Sequence, residues 1–418
     1  MIQLYSSISL AICMMLAGCK KFVSIAPPSV QTEQSKIFTS NEGALSALSG
    51  LYSSLQSSTF LITNGGATLY PALSADELVT GNPGSHYEHF QNNSLAATSE
   101  EGIRGKMWQP AYKAIYQANA ILEGLSASTA VTSEVANQVR GETLVIRSLL
   151  YFYLVNFFGD VPLVISTAYL ENQKMKRTGS DEIYKQLIKD LELAVAILPV
   201  TYPSAQRVRV NKWAAAALLA RVYLYTEEWT RAEIVATDIL NSGSYLIDVD
   251  LDNVFVSGSQ EAIWQLMLEQ SNTAEGSAFI PYSSGSLPNY IVTGHLLNAF
   301  EAGDKRKSHW FSTSDYNRQT YYYPYKYKLR ELPFGGMPTE FNTVVRLAEQ
   351  YLIRAEARIK QNQAAGALND INVLRIRAGL SPLVSGDANE ILVAIGLERQ
   401  RELVIEWGHR WIDLKRTG

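Results

Sequence analysis

Between Gly141 and Leu163 the apolar positions recur with a helical period and then stop abruptly. At 3.6 residues per turn, Leu144, Ile146, Leu149, Leu150, Tyr153, Leu154, Phe157 and Phe158 cover more than one face, so this helix must be enclosed by others. Gly159 can take the left-handed conformation that closes a helix and Pro162 bars continuation, which places the end at Gly-Asp-Val-Pro. Arg147 is the odd residue on this helix. A guanidinium there either snorkels or pairs with a carboxylate, and Glu142, Asp160 or an acidic residue of a neighbouring helix can serve.

Other stretches carry the same period. Asn41 is placed to cap a helix running to Leu55, and Trp108, Tyr112, Ile115, Tyr116, Asn119, Leu122 and Leu125 form a helical stripe. Ser180 is placed to cap Asp181 to Leu198, which Pro199 stops. Asn211 to Asn241 reads as two helices joined by a turn at Glu227 to Thr230. Its Leu219, Ala220, Tyr223 and Ala232 fall at the small and large positions of a tetratricopeptide repeat. Val344 to Ala378 repeats that spacing with Leu352 to Ala355, Ala367, Ile371 and Leu374, and a last helix begins near Asp387 and includes Glu398 to Glu406. The expected fold is mainly α, a tetratricopeptide-like helical-repeat scaffold. Two stretches, about 59–98 and 243–340, lack a sustained period. They are expected to be long irregular insertions forming the binding face, with loop-like aromatic segments from Gly276 to Tyr290 and from His309 to Tyr327 and a short strand from Glu261 to Leu268.

Several of these stretches resemble one family. GETLVIRSLLYFYLVNFFGDVPL from Gly141, the W…Y..I..AN.IL pattern from Trp108, Gly303-Asp304-Lys305-Arg306, RLAEQYLIRAEA from Arg346 and ERQRELVIEWGHRWIDLKR from Glu398 are similar to the signatures of the SusD/RagB family. Trp407 stands as an insertion before the glycine of the last motif. The resemblance covers nearly the whole mature chain. It implies a nutrient-binding surface lipoprotein of Bacteroidetes, with glycan or oligosaccharide the expected ligand, delivering it to a SusC-like TonB-dependent porin. The family normally runs past the last motif, so a truncated C-terminus is expected.

The N-terminus bears on the compartment. Ile8 to Leu16 is apolar but too short to span a bilayer, and Leu16-Ala17-Gly18-Cys19 resembles the bacterial lipobox, in which the cysteine is acylated. Residues 1–18 are then a lipoprotein signal peptide, 19–40 a lipidated tether from Cys19, and 41–418 a single α-helical domain. The expected place is the outer membrane, lipid-anchored and facing the exterior. Cys13 leaves with the signal, so the mature chain has no disulfide and no cysteine-ligated metal.

Charge and motifs exclude other classes. A formal net charge of -4 without a basic stripe argues against nucleic acid as a partner. His86 and His89 are the only close histidine pair, and no third ligand is indicated, so no metal or other cofactor is expected. Glu398, Glu402 and Glu406 share a helix face as paired carboxylates of a glycosidase would, but Arg399 and Arg401 lie within helical reach. Pairs of Arg399 with Glu402 and of Glu398 with Arg401 are expected, and no catalytic residue is. The 23 tyrosines and seven tryptophans suit a surface that stacks on sugar rings, and equally suit helix packing. In the family the ligand-contacting aromatics come from insertions like the two irregular blocks. The candidate ligand residues are Asn82, His86 and Tyr87 in the first block and Tyr282, Tyr290 and Trp310 in the second. A repeat adaptor that binds only protein, and a surface hydrolase, are the alternative readings.

Overall fold

The structure, a computed structural model, describes residues 37–96, 100–268, 271–332 and 335–418. Helix α1 (Asn41–Leu55) is capped by Ser40, whose hydroxyl accepts from Gly43 N; the expected cap, Asn41, instead accepts from Thr132 N. The first irregular block is more ordered than its pattern suggests. It holds a π-turn (Ile62–Gly66), the fully packed α2 (Ala67–Ser74), β1 (Leu78–Thr80) and α3 (Tyr87–Gln91). A second π-helical segment (Glu100–Trp108) leads into α4 (Gln109–Ala127).

Helix α5 (Ser133–Phe158) is the central helix, buried continuously from Gly141 to Asn156. Its end differs in detail from the expectation: Gly159 has φ 70° and ψ -137°, a glycine region beyond the left-handed helical basin. After α6 (Tyr169–Asn172) comes α7 (Ser180–Ile197), and Arg147 of α5 finds its carboxylate there, at Asp190, 2.7 Å away. Ser180 does not cap α7. Gly179 occupies that position, and Asp160 Oδ1 accepts from Ser180 N.

The two repeat pairs are α8 (Lys212–Tyr225) with α9 (Trp229–Asn241), and, after the second block, α13 (Leu347–Lys360) with α14 (Ala364–Arg377). Asn211 caps α8, and its run of alanines lets α7 and α9 approach closely. Helices α4, α5, α7, α8, α9, α13 and α14 pack each on the next, so α9 meets α13 across the whole second block. The scaffold is a helical repeat, as expected. Buried Arg221 ties α8 to the same helix, gripping Glu349 of α13 through Nε and Nη2, at 2.6 and 2.7 Å.

The second block contains β2 (Ala262–Leu266), α10 (Ala274–Phe279), β3 (Tyr290–Val292), α11 (Gly294–Ala299), α12 (Lys305–Trp310), β4 (Phe311–Tyr316) and β5 (Gln319–Pro324), and β6 (Asn342–Arg346) follows it. Strands β2 and β6 pair antiparallel, as do β4 and β5. The stretch from His309 to Tyr327 is therefore not a loop but mainly a hairpin. Asn317 and Arg318 at its tip both have positive φ, the geometry of a two-residue turn that matches strand twist. Gly276 to Tyr290 is loop only in its middle, between α10 and β3.

The chain ends with α15 (Ala388–Glu402), a tight turn, and α16 (His409–Thr417). Helix α15 stops at Glu402 and does not reach Glu406. The pairs expected within it do not form: Arg399 bonds Asp413, Arg401 bonds Glu301, and the carboxylates turn inward. Glu402 accepts from Arg306 (3.0 Å), Arg346 (2.6 Å) and Arg377. Glu398 bonds Arg306, Glu406 bonds Arg346 and Lys326, and Glu261 bridges Arg346 and Arg377. Burial alone would push the Glu402 carboxyl up, but Arg377, Arg346 and Arg306 together hold it well below the usual range. The network is structural, as the abundance of nearby arginine suggested, yet its wiring is tertiary.

Removing one member of a buried network leaves the others unpaired, at a cost of about 3–5 kcal/mol. Glu402→Leu is expected to lose stability on that scale in urea denaturation. A loss below about 1 kcal/mol, the scale of an exposed pair, would show that the network does not hold the second block.

Candidate functional site

The two irregular blocks meet where β1 pairs with β3, in the register Leu78↔Val292, Val79↔Ile291 and Thr80↔Tyr290. The pairing continues as Gly81 N donates to Asn289 O at 2.8 Å. A side chain at Gly81 would bring a Cβ within 2.1 Å of Pro288 O, so only glycine permits this approach. Behind β1, buried Glu77 accepts from Ile405 N at 3.1 Å and ties the strand to the turn after α15. Ile405 and Trp407 in that turn have φ of 49° and 45°, which β-branched and bulky residues rarely adopt, so the turn is held by its surroundings.

Over this junction lies a cavity of about 340 Å³. Its wall is aromatic. Tyr87 of α3 meets Tyr290 edge to face at 5.3 Å and Phe60 at 6.5 Å, with Tyr70 stacked behind it at 6.3 Å. Phe279 backs Tyr290 at 5.8 Å. The rim is polar, from Thr59, Thr80, Asn82 and Asn289. The floor is small: Ala274, Ser277 and Ala278 stand at i, i+3 and i+4 on one face of α10, capped by Thr273. From the other face of α10, buried Glu275 bonds Thr68 and Asn342 at 3.2 and 2.8 Å, which fixes the helix in rotation. Burial pushes the Glu275 carboxyl up; burial, then the adjacent Tyr87 hydroxyl, push the Tyr290 phenol up.

Of the six residues singled out in the sequence, three line this cavity together: Asn82, Tyr87 and Tyr290. His86 is exposed and packs on the Tyr87 ring at 4.0 Å without being a lining residue. Tyr282 stands apart, 81% exposed, with the Arg330 guanidinium 3.8 Å from its ring centre. Trp310 is a correction. It is 0% exposed, donates its indole N–H to Leu251 O, and lies 4.2 Å from Lys326 Nζ with Arg346 and Arg377 beyond, so it packs against the ion network and presents no ring to a ligand. The sequence reading missed Phe60, Asn289 and the α10 floor. The floor had a signal, the small residues at helical spacing after Thr273; Phe60 and Asn289 had none. His86 and His89 belong to no ligand cluster, and the one such group among the described residues is Asp250, Asp252 and His309, where Lys328 pairs with Asp252 at 2.9 Å.

The wall offers apolar ring faces and the rim offers amides and hydroxyls. The lining has no carboxylate, imidazole, thiol or amine. Such a site suits a ligand with apolar faces and hydroxyl edges.

Comparisons with known proteins agree with the fold. Residues 69–224 match a family model described as starch-binding associating with outer membrane, and residues 312–418 match that of the SusD family. SusD-like protein P25 of Formosa agariphila is 25% identical, over 96% of this chain and 87% of that protein. A SusD superfamily protein from Bacteroides vulgatus superposes with a TM-score of 0.79 at 23% identity, covering 90% of this chain and 88% of that one. A laminarin-binding SusD-like protein superposes with a TM-score of 0.72 at 24% identity, covering 91% and 92%. At these identities the solved structures share the fold.

The anchor behind β1 carries a pH signature. Burial moves the Glu77 carboxyl from an ordinary 4.5 to about 8, against the pull of the Ile405 N–H and Lys326. Between those values the folded protein keeps a proton that the unfolded chain has lost, so stability falls as pH rises from about 4.5 to 8 and levels above. Glu77→Gln is expected to remove that decline, up to about 1.4 kcal/mol per pH unit, in denaturation midpoints measured from pH 5 to 8. Parallel profiles for variant and parent would refute the assignment.

Proposed function

Because the chain belongs to the SusD/RagB family, we propose that it binds an oligosaccharide in the cavity between Tyr87 and Tyr290. The observation that carries the reading is the convergence of the two irregular blocks: β1–β3 pairing sets two aromatic walls and the Asn82 and Asn289 amides around one volume. A pyranose ring has an apolar face for Tyr87 and equatorial hydroxyls for the rim. That a laminarin-binding SusD-like protein shares this fold supports the ligand class. With no carboxylate, imidazole, thiol or amine in the lining to activate its hydroxyls, binding without turnover is the reading that fits.

We further propose that the protein is a lipoprotein of the outer membrane, acylated at Cys19 and facing the exterior, that hands its ligand to a SusC-like TonB-dependent porin. Cys19 lies outside the described residues, and no described helix is long and apolar enough to cross a membrane. The lipobox pattern and the family description support this reading.

Binding and stability separate the site from the core. Tyr87→Ala is expected to weaken oligosaccharide binding by on the order of 1 kcal/mol, about five-fold, with little change in melting temperature. Trp310→Ala is expected to lose about 3–5 kcal/mol of stability without a specific binding defect. Calorimetric titration and thermal melts test both; an unchanged affinity in Tyr87→Ala would move the site elsewhere. Cys19→Ala is expected to abolish labelled-palmitate incorporation and recovery of a porin in gentle detergent. Equal membrane recovery of variant and parent would refute the anchor.

A further inference from the structure

Among the described residues, three apolar side chains stand on left-handed backbone: Ile405, Trp407 and Phe60, the last with φ 64°. That region crowds the Cβ of any residue but glycine, and a bulky residue stays there only where its surroundings impose it. For Ile405 and Trp407 burial offsets the strain, since they are 6% and 3% exposed in the turn that serves the ion network. Phe60 differs. It is only half-buried, and it lines the Tyr87 cavity.

The chain around Phe60 is built to hold this conformation. Phe60 N donates to Asn64 O at 2.8 Å, Asn64 N donates to Leu61 O at 3.0 Å, and Asn64 Nδ2 donates to Ser58 O at 2.9 Å, so the π-turn clasps the residue on both sides in sequence. Gly65 then lets the ring approach the floor. A Cβ there would come within 3.1 Å of Ala274 Cβ and 3.6 Å of Phe60 Cδ1, so the ring and α10 draw together over a residue that has no side chain. At the wall, Phe60 and Tyr290 stand nearly at right angles to Tyr87, with interplanar angles of 78° and 86°. The wall therefore presents ring planes in more than one direction.

We propose that Phe60 is a ligand-contacting residue of this site, and that its backbone is held in the left-handed region because this sets the ring against the bound sugar. The proposal rests on the oligosaccharide reading above and deepens it. A position fixed by packing alone would cover the ring, whereas a ring left half-open on a cavity wall is covered further when a ligand arrives. Phenylalanine has no hydroxyl, so what it recognises is the C–H face of a pyranose, and the adjoining Thr59 and the Asn82 and Asn289 amides are left to meet hydroxyls. A residue suited to stability here would be glycine or asparagine, which enter the left-handed region readily. Phenylalanine in their place is the mark of a site that keeps strain for function.

Stability and binding are therefore expected to part. Phe60→Asn removes the ring and relieves the backbone. In calorimetric titration of the full chain with α-1,4-glucan, β-1,3-glucan and β-1,4-mannan hexasaccharides, this variant is expected to bind the tightest of the three about five-fold more weakly than the parent, with a melting temperature no lower than the parent's. Phe60→Tyr, which restores a flat ring, is expected to recover most of that loss. A lowered melting temperature in Phe60→Asn at the parent's affinity would return the ring to packing. Equal losses of affinity in Phe60→Asn and Phe60→Tyr would show that a flat ring is not what the ligand meets. Either result overturns the role of Phe60, and the oligosaccharide reading then stands on a loss of affinity in Tyr87→Ala. No binding of any of the three saccharides by the parent overturns both. The difference in affinity between the two Phe60 variants decides the matter even if Phe60→Asn melts lower.

Discussion

The carboxylate of Glu402 is the point to which this structure is tied. An ionised group at zero exposure is tolerated only when its charge is matched, and three guanidiniums match it, each from a different element: Arg306 at the start of α12, Arg346 at the end of β6, Arg377 at the end of α14. Around it, five cations, Arg306, Arg346, Arg375, Arg377 and Lys326, face five carboxylates, Asp304, Glu261, Glu398, Glu402 and Glu406. Burial pushes the Glu398 carboxyl up, against the pull of Arg306. None of these partners is exchangeable without exposing another. The network therefore specifies where about a hundred residues of insertion sit on the repeat scaffold.

From this charged centre the geometry passes to the neutral cavity through adjacent residues of one turn. Glu406 is in the network; the residue before it, Ile405, gives its N–H to Glu77 at the root of β1, and the residue after it, Trp407, gives its N–H to Thr68. Thr68 then donates to Glu275, which orients α10 and so the cavity floor. One turn thus positions the β1 wall and the α10 floor relative to each other. The positive φ of Ile405 and Trp407 is strain kept in place by these contacts.

Much of the scaffold was legible in the sequence because helix burial has a local signature. The all-round apolar pattern from Leu144 to Phe158 can only be a core helix, and the small residues of Ala-rich α8 can only sit where helices approach closely. The β4–β5 hairpin was not legible. Tyr321-Tyr322-Tyr323 is aromatic at every position, so it shows neither a period of two nor a polar face, and the turn falls on Asn317-Arg318 without a glycine to announce it. Of the aromatic candidates, Tyr87 and Trp310 look alike in sequence, yet one stands in a cavity wall and the other is wrapped by Lys326, Arg346 and Arg377.

The sequence by itself determined the helices, their repeat pairing and the need of buried arginines for carboxylates, because period, small-residue spacing and charge are properties of neighbours along the chain. It also located the two blocks that together line the Tyr87 cavity. Only the tertiary structure decided which carboxylate each arginine takes, which aromatics face a cavity, and that β1 meets β3. Those choices join residues such as Thr80 with Tyr290 and Glu77 with Ile405, hundreds of positions apart, and no local pattern constrains a contact whose two halves are brought together only by packing of everything between them.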